Sequence, residues 1–326
     1  MKAFIYKKYG PPDVLQLVEI PEPVPKPDEI LVKVMATSVN RTDCANLRAK
    51  PAIMRLSMGL FVPKNPILGT EFSGEIAAVG KDISQYEVGQ RVFGFADSGI
   101  KSYAEYLVLS PKNAFSLIPK DLTYEQAAGC IEGAHYAYNM INKMTLQNGD
   151  RVLINGATGG IGTAALQLLN YLGMQITAVC NTKNIHLAKS LGAEHIIDWE
   201  QENFTTSPFK YQAILDTSGK STFGVCKSLL LPGGTYISSE LGPWSQNLFY
   251  SLTTALVGAI PFTGGKKVKF PYPPDIMRTI RLLKSLIEED HFSPVIDRVY
   301  PFEQIPEAFR YVEKGHKTGN VVVSLA

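Results

Sequence analysis

Cysteine is scarce: four residues in 326, at Cys44, Cys130, Cys180 and Cys226, never paired as Cys-x-x-Cys. That excludes a disulfide framework and suits a reducing compartment. An excess of charge is also missing. The 32 basic and 30 acidic residues nearly cancel, so nothing in the charge balance points to a nucleic-acid partner. The opening stretch, MKAFIYKKYGPPD, has no apolar run of the signal-peptide kind. No window reaches the ~18–20 apolar residues of a membrane span. The nearest, residues 248–262, is broken by Ser, Thr, Tyr, Gly and Pro and is expected to be a buried core segment rather than a membrane contact. A cytoplasmic location is the expectation. What is present, 45% hydrophobic and 19% charged residues, describes an ordinary globular chain long enough for about two domains.

The first third reads as short strands. VLQLVEI and EILVKVMATSVN are separated by the proline ladder PEPVPKPDE, which blocks helix formation, and SGEIAAVG, RVFGFA and AEYLVLS follow at short spacing. This predicts a compact β-rich unit, interrupted by a long apolar loop over residues 51–66 that suits a substrate lid or a plain surface insertion equally. Near Asp121 the pattern changes. Helical spacing in LTYEQAAGCIEGAHYAYNMINKM leads into alternating strands and helices, with RVLING, QITAVC, HIIDW, QAILD, TYISSE and KKVKF as the strands. Apolar runs without alternation predict a parallel sheet covered on both faces. Residues 121–270 are therefore expected to form a doubly wound α/β domain. Residues 1–120 and 271–326 are expected to form the β-rich domain together, the tail returning through an amphipathic helix, DIMRTIRLLKSLIEED, and a last strand, NVVVSL.

The sharpest local signal is Gly156-Ala157-Thr158-Gly159-Gly160-Ile161-Gly162, placed between the strand RVLIN and the helix IGTAALQLL. Such a turn lets a pyrophosphate approach the backbone and offers it the free N–H groups of a helix N-terminus. An NAD site usually has an acid about 20 residues further on, for the ribose hydroxyl. Here no acidic residue lies between Gly162 and Glu194, and the strand QITAVC ends on Asn181, Thr182 and Lys183. A cation with two hydrogen-bonding neighbours suits a 2′-phosphate, so NADPH is the expected cofactor.

These features sit among others that together resemble the medium-chain dehydrogenase/reductase superfamily, and most closely its zinc-independent quinone oxidoreductase branch, which includes zeta-crystallin. The carriers are Ser38-Val39-Asn40-Arg41-Thr42-Asp43, Gly69-Thr70-Glu71-Phe72-Ser73-Gly74, Val79-Gly80, Gly89-Gln90-Arg91-Val92, Leu191-Gly192-Ala193, Leu215-Asp216-Thr217 and the closing segment from Gly315 to Val322. The resemblance implies a Rossmann domain beside a GroES-like catalytic domain, and a homodimer. Zinc-dependent members place Cys where Asn40 stands and His where Thr70 stands. Residues 1–120 have no histidine and only Cys44, so neither the catalytic nor the structural zinc site is expected. Asp43 and Glu71 are expected to support the fold.

Without a Lewis acid, the acceptor has to stabilise its own developing charge, as a quinone or an α,β-unsaturated carbonyl does. Asn40 is the first expected catalytic contact, able to donate and accept. His135, where relatives often have Thr, and Tyr136 are further proton-donor candidates beside structural roles. Asp216 and Thr217 end a central strand where cofactor contacts gather. Trp199 is a candidate for the adenine, Phe270 for the nicotinamide, and Asn320 stands where many relatives have Lys. Cys180 reads as a core residue. Three functions remain open: an NADPH-dependent quinone or enone reductase, an enoyl-thioester or carbonyl reductase on the same scaffold, and an NADPH-binding structural protein without turnover.

Overall fold

A computed structural model describes residues 1–242, 246–257, 265–271 and 275–325. The chain opens with β1 (Lys2–Ile5), β2 (Gln16–Glu19), β3 (Ile30–Val39), α1 (Arg41–Arg48), α2 (Arg55–Met58), β4 (Glu71–Val79), β5 (Arg91–Phe95), β6 (Tyr106–Leu109), β7 (Phe115–Leu117) and α3 (Tyr124–Ala128). It continues with α4 (Ile131–Asn142), β8 (Arg151–Asn155), α5 (Gly160–Tyr171), β9 (Gln175–Cys180), α6 (Ile185–Ser190), β10 (His195–Asp198), β11 (Tyr211–Asp216), α7 (Phe223–Cys226), β12 (Leu230–Ser238), α8 (Gln246–Val257) and β13 (Lys267–Lys269). The last elements are α9 (Ile276–Glu288), β14 (Ile296–Pro301), α10 (Ile305–Glu313) and β15 (Asn320–Ser324).

Two compact units result. The first holds Met1–Glu132, Ile276–Glu288 and Ser293–Ala326; the second holds Gly133–Asp275 and Glu289–Phe292. The division falls at Glu132, not at the change of pattern near Asp121, because α3 packs on β3, β4 and β15 of the first unit. In that unit a seven-stranded sheet runs β14-β15-β3-β4-β5-β7, with β6 paired to β3. All its pairings are antiparallel except β14 with β15. β3 is buried at nearly every position. α9 and α10 each bury one stripe, Thr279, Ile280, Leu283 and Leu286 in α9 and Ile305, Ala308, Phe309 and Val312 in α10, the spacing of an amphipathic helix. α1 was not legible as a helix. Asp43 starts it, its carboxylate accepting the Asn40 N–H at 2.9 Å.

The second unit is a six-stranded parallel sheet in the order β10-β9-β8-β11-β12-β13. Counted from β8, that is 3-2-1-4-5-6, the doubly wound order of a Rossmann fold. The strand order reverses between β8 and β11, where Asn155 pairs with Asp216. β8, β9 and β11 are buried on both faces, as their unbroken apolar runs required. One expectation needs correction. Residues 248–257 lie in helix α8, but Phe249 is 62% and Leu252 51% exposed, so this stretch is not a uniformly buried core segment; residues 258–262 fall outside the described residues.

Candidate functional site

In the second unit the reversal point is lined by the glycine turn. Gly156 has φ 82, and a Cβ there would stand 2.7 Å from Ser218 Cβ. A Cβ on Gly162 would stand 2.3 Å from the Gly156 carbonyl oxygen. Both glycines are required by packing alone. Gly159 differs: it is the N-cap of α5, and a Cβ there would meet nothing nearer than 3.7 Å. The open side of Gly159, beside the unsatisfied N–H groups opening α5 through Gly160 and Ile161, is a cradle of the kind a pyrophosphate fills. Ala157 is fully buried, its N–H bonded to the Val179 carbonyl at 3.1 Å, and the Thr158 hydroxyl accepts from the Asn184 amide at 3.1 Å. The residues present therefore fit a dinucleotide.

At the end of β9 the surroundings are more acidic than the sequence along that strand suggested. The Thr182 N–H donates to the Glu200 carboxylate at 3.1 Å, and the Thr182 hydroxyl to the Asp198 carboxylate at 2.5 Å. Both acids arrive from the end of β10. Lys183 is exposed on the same turn, and Asn181 Oδ1 is buried with no hydrogen-bond partner. Trp199 is 53% exposed, its N–H tied to the Cys180 carbonyl at 3.0 Å. Burial pushes the Cys180 thiol up to about 11, so neighbouring Lys183 does not make it reactive.

Asp216 and Thr217 are committed to the protein. Asp216 Oδ1 accepts from the Asn155 amide, Ser218 N–H and hydroxyl, and Gly219 N–H at 3.0–3.3 Å; its Oδ2 accepts from Ser221 N–H at 3.1 Å and the Tyr236 hydroxyl at 3.3 Å. The Thr217 hydroxyl donates to the Asn155 and Gly156 carbonyls at 2.9 and 3.0 Å. These two side chains shape the turn after β11, and the Thr217 hydroxyl oxygen keeps its capacity to accept. Phe270, half-buried, follows β13. His135 is fully buried in the first turns of α4, and its neighbour Tyr136 is half-buried.

In the first unit a buried polar cluster forms around Asn40. Its amide nitrogen lies 3.0 Å from Ser38 Oγ, 3.0 Å from Glu132 Oε2 and 3.3 Å from Glu71 Oε2. Two protons face three acceptors, so in this structure the Asn40 amide is engaged within the cluster. Glu132 Oε2 also accepts from Thr70 Oγ1 at 3.0 Å, and Glu132 Oε1 from Thr42 Oγ1 at 2.6 Å. Glu71 Oε1 takes the N–H groups of Ile131 and Glu132, the first turn of α4. Burial, reinforced by the charge of Glu132, pushes Glu71 up to about 8. Burial raises Asp43 well above the usual carboxylate range, Glu132 adding to the effect, and raises Glu132 itself. The charge of this cluster reaches Lys317: burial lowers its pKa, with Glu132 opposing, and its ammonium donates to the Gly319 carbonyl at 2.7 Å. The Asn320 amide donates to the Val295 carbonyl at 3.2 Å.

The cluster does not fit zinc. At the positions where a zinc site would need Cys and His, an amide and a hydroxyl instead donate to one carboxylate. Among the described residues no three His, Cys, Asp or Glu side chains are arranged to hold a metal ion. Glu132 and Lys317 were missed from the sequence. The signal was there for Glu132, the one Asp, Glu, Lys or Arg within residues 126–142.

Residues 26–120 match the alcohol dehydrogenase GroES-like domain family and residues 191–323 the zinc-binding dehydrogenase family. The chain is 29% identical to the mitochondrial NAD(P)H oxidoreductase RTN4IP1 of Homo sapiens, over all of this chain and 89% of that protein. It is 28% identical to the chloroplastic NADPH-dependent alkenal/one oxidoreductase of Arabidopsis thaliana, over 99% of this chain and 79% of the relative. The quinone oxidoreductase of Coxiella burnetii superposes with a TM-score of 0.85 at 25% identity, covering 100% of this chain and 99% of that one.

Proposed function

Since the chain belongs to the medium-chain dehydrogenase/reductase family, in its zinc-independent, quinone-oxidoreductase-like branch, we propose that it is an NADPH-dependent reductase of quinones or α,β-unsaturated carbonyls. The observation that carries the reading is the convergence of Asn40 and Thr70 on Glu132, each at 3.0 Å. The place of a Lewis acid is taken by hydrogen bonds, so an acceptor has to carry its own charge as a phenolate or enolate.

When bound, the reduced nicotinamide would supply hydride. The glycine turn and the start of α5 would hold its pyrophosphate, and Asn181, Thr182 and Lys183 the ribose phosphate. Trp199 is proposed for the adenine and Phe270 for the nicotinamide, with His135 and Tyr136 as proton-donor candidates. Asn40 acts as a positioning residue, orienting Glu132 between Thr42 and Thr70. Glu71, protonated at neutral pH, keeps the charge of this buried cluster low.

The test is acceptor-dependent oxidation of NADPH, with quinones, enones and acyl-thioesters compared as substrates and the products identified. Turnover of quinones or enones in the presence of a strong chelator supports the proposal. Turnover of acyl-thioesters alone moves it to the enoyl-thioester class, and NADPH binding without turnover of any of them leaves a binding protein.

A further inference from the structure

We propose that the loop between α1 and β4 docks on an anionic lipid–water interface. Within ten residues it exposes five large apolar side chains: Ile53 (70%), Leu56 (72%), Leu60 (54%), Phe61 (83%) and Val62 (62%). Isolated exposed apolar residues are ordinary, but so many together on one segment mark an interaction surface.

The loop's backbone is held while these side chains face outward. The Gly59 N–H bonds to the Arg55 carbonyl at 2.9 Å and the Lys64 N–H to the Met58 carbonyl at 2.8 Å. The Gly59 carbonyl accepts from the Tyr9 hydroxyl at 2.8 Å, and the Arg55 guanidinium lies 5.2 Å from the centre of the Tyr9 ring. Gly59 has φ 124, and a Cβ there would fall 2.0 Å from the Val62 carbonyl oxygen. The turn that presents Leu60 and Phe61 is thus built in.

Charge decides the occupant. Every charged residue between Asp43 and Glu71 is basic: Arg48, Lys50, Arg55 and Lys64. Arg48 is paired with Glu313, leaving three cations on the same segment: exposed Lys50, Arg55 against Tyr9, and exposed Lys64, whose ammonium donates to the Ser57 carbonyl at 3.0 Å. A second copy of the loop would bring like charges together. Anionic headgroups above an acyl layer complement both features, the apolar side chains entering the boundary and the basic ones staying at headgroup level. This is a surface contact. Among the described residues no helix is long and apolar enough to cross a membrane.

The whole chain is mixed with vesicles of equimolar phosphatidylcholine and phosphatidylserine, or of phosphatidylcholine alone, and sedimented; no turnover is needed, so the result is independent of the proposed reaction. Partition is expected to be at least about tenfold stronger on the anionic vesicles and to fall with salt. The double variant Leu60→Ser/Phe61→Ser should lose about tenfold or more, and Lys50→Gln/Lys64→Gln about tenfold, with melting temperatures unchanged because these side chains are exposed. Phe61→Trp should shift its emission to the blue on the anionic vesicles alone. Equal partition on both vesicle types, or partition unchanged in the Leu60/Phe61 variant, overturns the proposal. So does a halving of solution mass in that variant, which makes the patch a contact between copies.

Discussion

Replacing Glu71 by Gln should flatten the fall of stability with pH. The carboxyl titrates at about 8 in the folded chain against an ordinary 4.5, burial being the larger cause and the charge of Glu132 the smaller. Between those values the folded chain holds a proton that the unfolded chain has released. Stability from this group is complete below the lower value and lost as pH rises through the upper one. The slope is about 1.4 kcal/mol per pH unit, and the whole interval amounts to about 5 kcal/mol. Gln does not titrate. Its carbonyl can still accept from the Ile131 and Glu132 N–H groups, and its amide can donate to Ser38 Oγ. That same amide faces the Asn40 amide, donor against donor at the 3.3 Å position, at a cost of ~1–3 kcal/mol at every pH. The variant should therefore be the less stable protein near about pH 5 and the more stable one near about pH 8, the two curves crossing between. Urea unfolding followed by far-ultraviolet circular dichroism across that range measures the difference. Parallel curves would refute the raised titration of Glu71 and with it the account of the cluster as a low-charge assembly.

Lys183→Glu should weaken NADPH binding at least about tenfold and leave NADH nearly unchanged, read by calorimetry; equal losses would remove the 2′-phosphate from this turn. Gly159→Ala should keep the melting temperature within a degree or two yet weaken either dinucleotide at least about tenfold, whereas Gly162→Ala, with its Cβ 2.3 Å from a carbonyl oxygen, should destabilise the unit itself. Comparable melting temperatures for the two would show that the open side of Gly159 has no special role. Asn40→Ala should lower kcat more than NADPH affinity and shift the pH–rate profile, since Glu132 and Glu71 lose a shared donor; an unchanged profile would make Asn40 a packing residue.

The parallel sheet and its glycine turn were legible because both depend on short stretches of chain. Unbroken apolar runs and glycines next to a strand end carry their structural reason locally. The β-rich unit was readable in outline for the same reason, strand by strand. The cluster around Glu132 was not, because it joins side chains distant in sequence: Asn40, Thr42, Thr70 and Glu71 meet a residue at the start of α4. Asp216 shows the opposite case. Its place at a strand end suggested a cofactor contact, yet its oxygens are saturated by Asn155, the turn that follows and Tyr236. A position at a strand end states what is near the ligand, and only the count of donors states what is free to touch it.

The same distinction bears on NADPH against NADH. Reading along β9 finds Lys183 and no acid, but the sheet sets β10 beside β9 and brings Asp198 and Glu200 to the same end. The two acids are not equivalent. Asp198 is buried and tied on both oxygens, by the Thr182 hydroxyl and by the Glu200 N–H at 3.0 Å, so it belongs to the turn. Glu200 is exposed and holds the Thr182 N–H, the kind of donor a phosphate would take. A 2′-phosphate would thus have to displace Glu200 and then sit near its charge. Two unit charges about 5 Å apart in a water-like medium repel by ~0.8 kcal/mol, or about fourfold in affinity, and more where solvent is partly excluded. Glu200→Gln should therefore strengthen NADPH binding by about fourfold or more while leaving NADH within about twofold, the gain shrinking in high salt. An equal gain for both cofactors would place the effect on the turn's conformation, and no gain would mean that the phosphate binds elsewhere than beside Thr182 and Lys183.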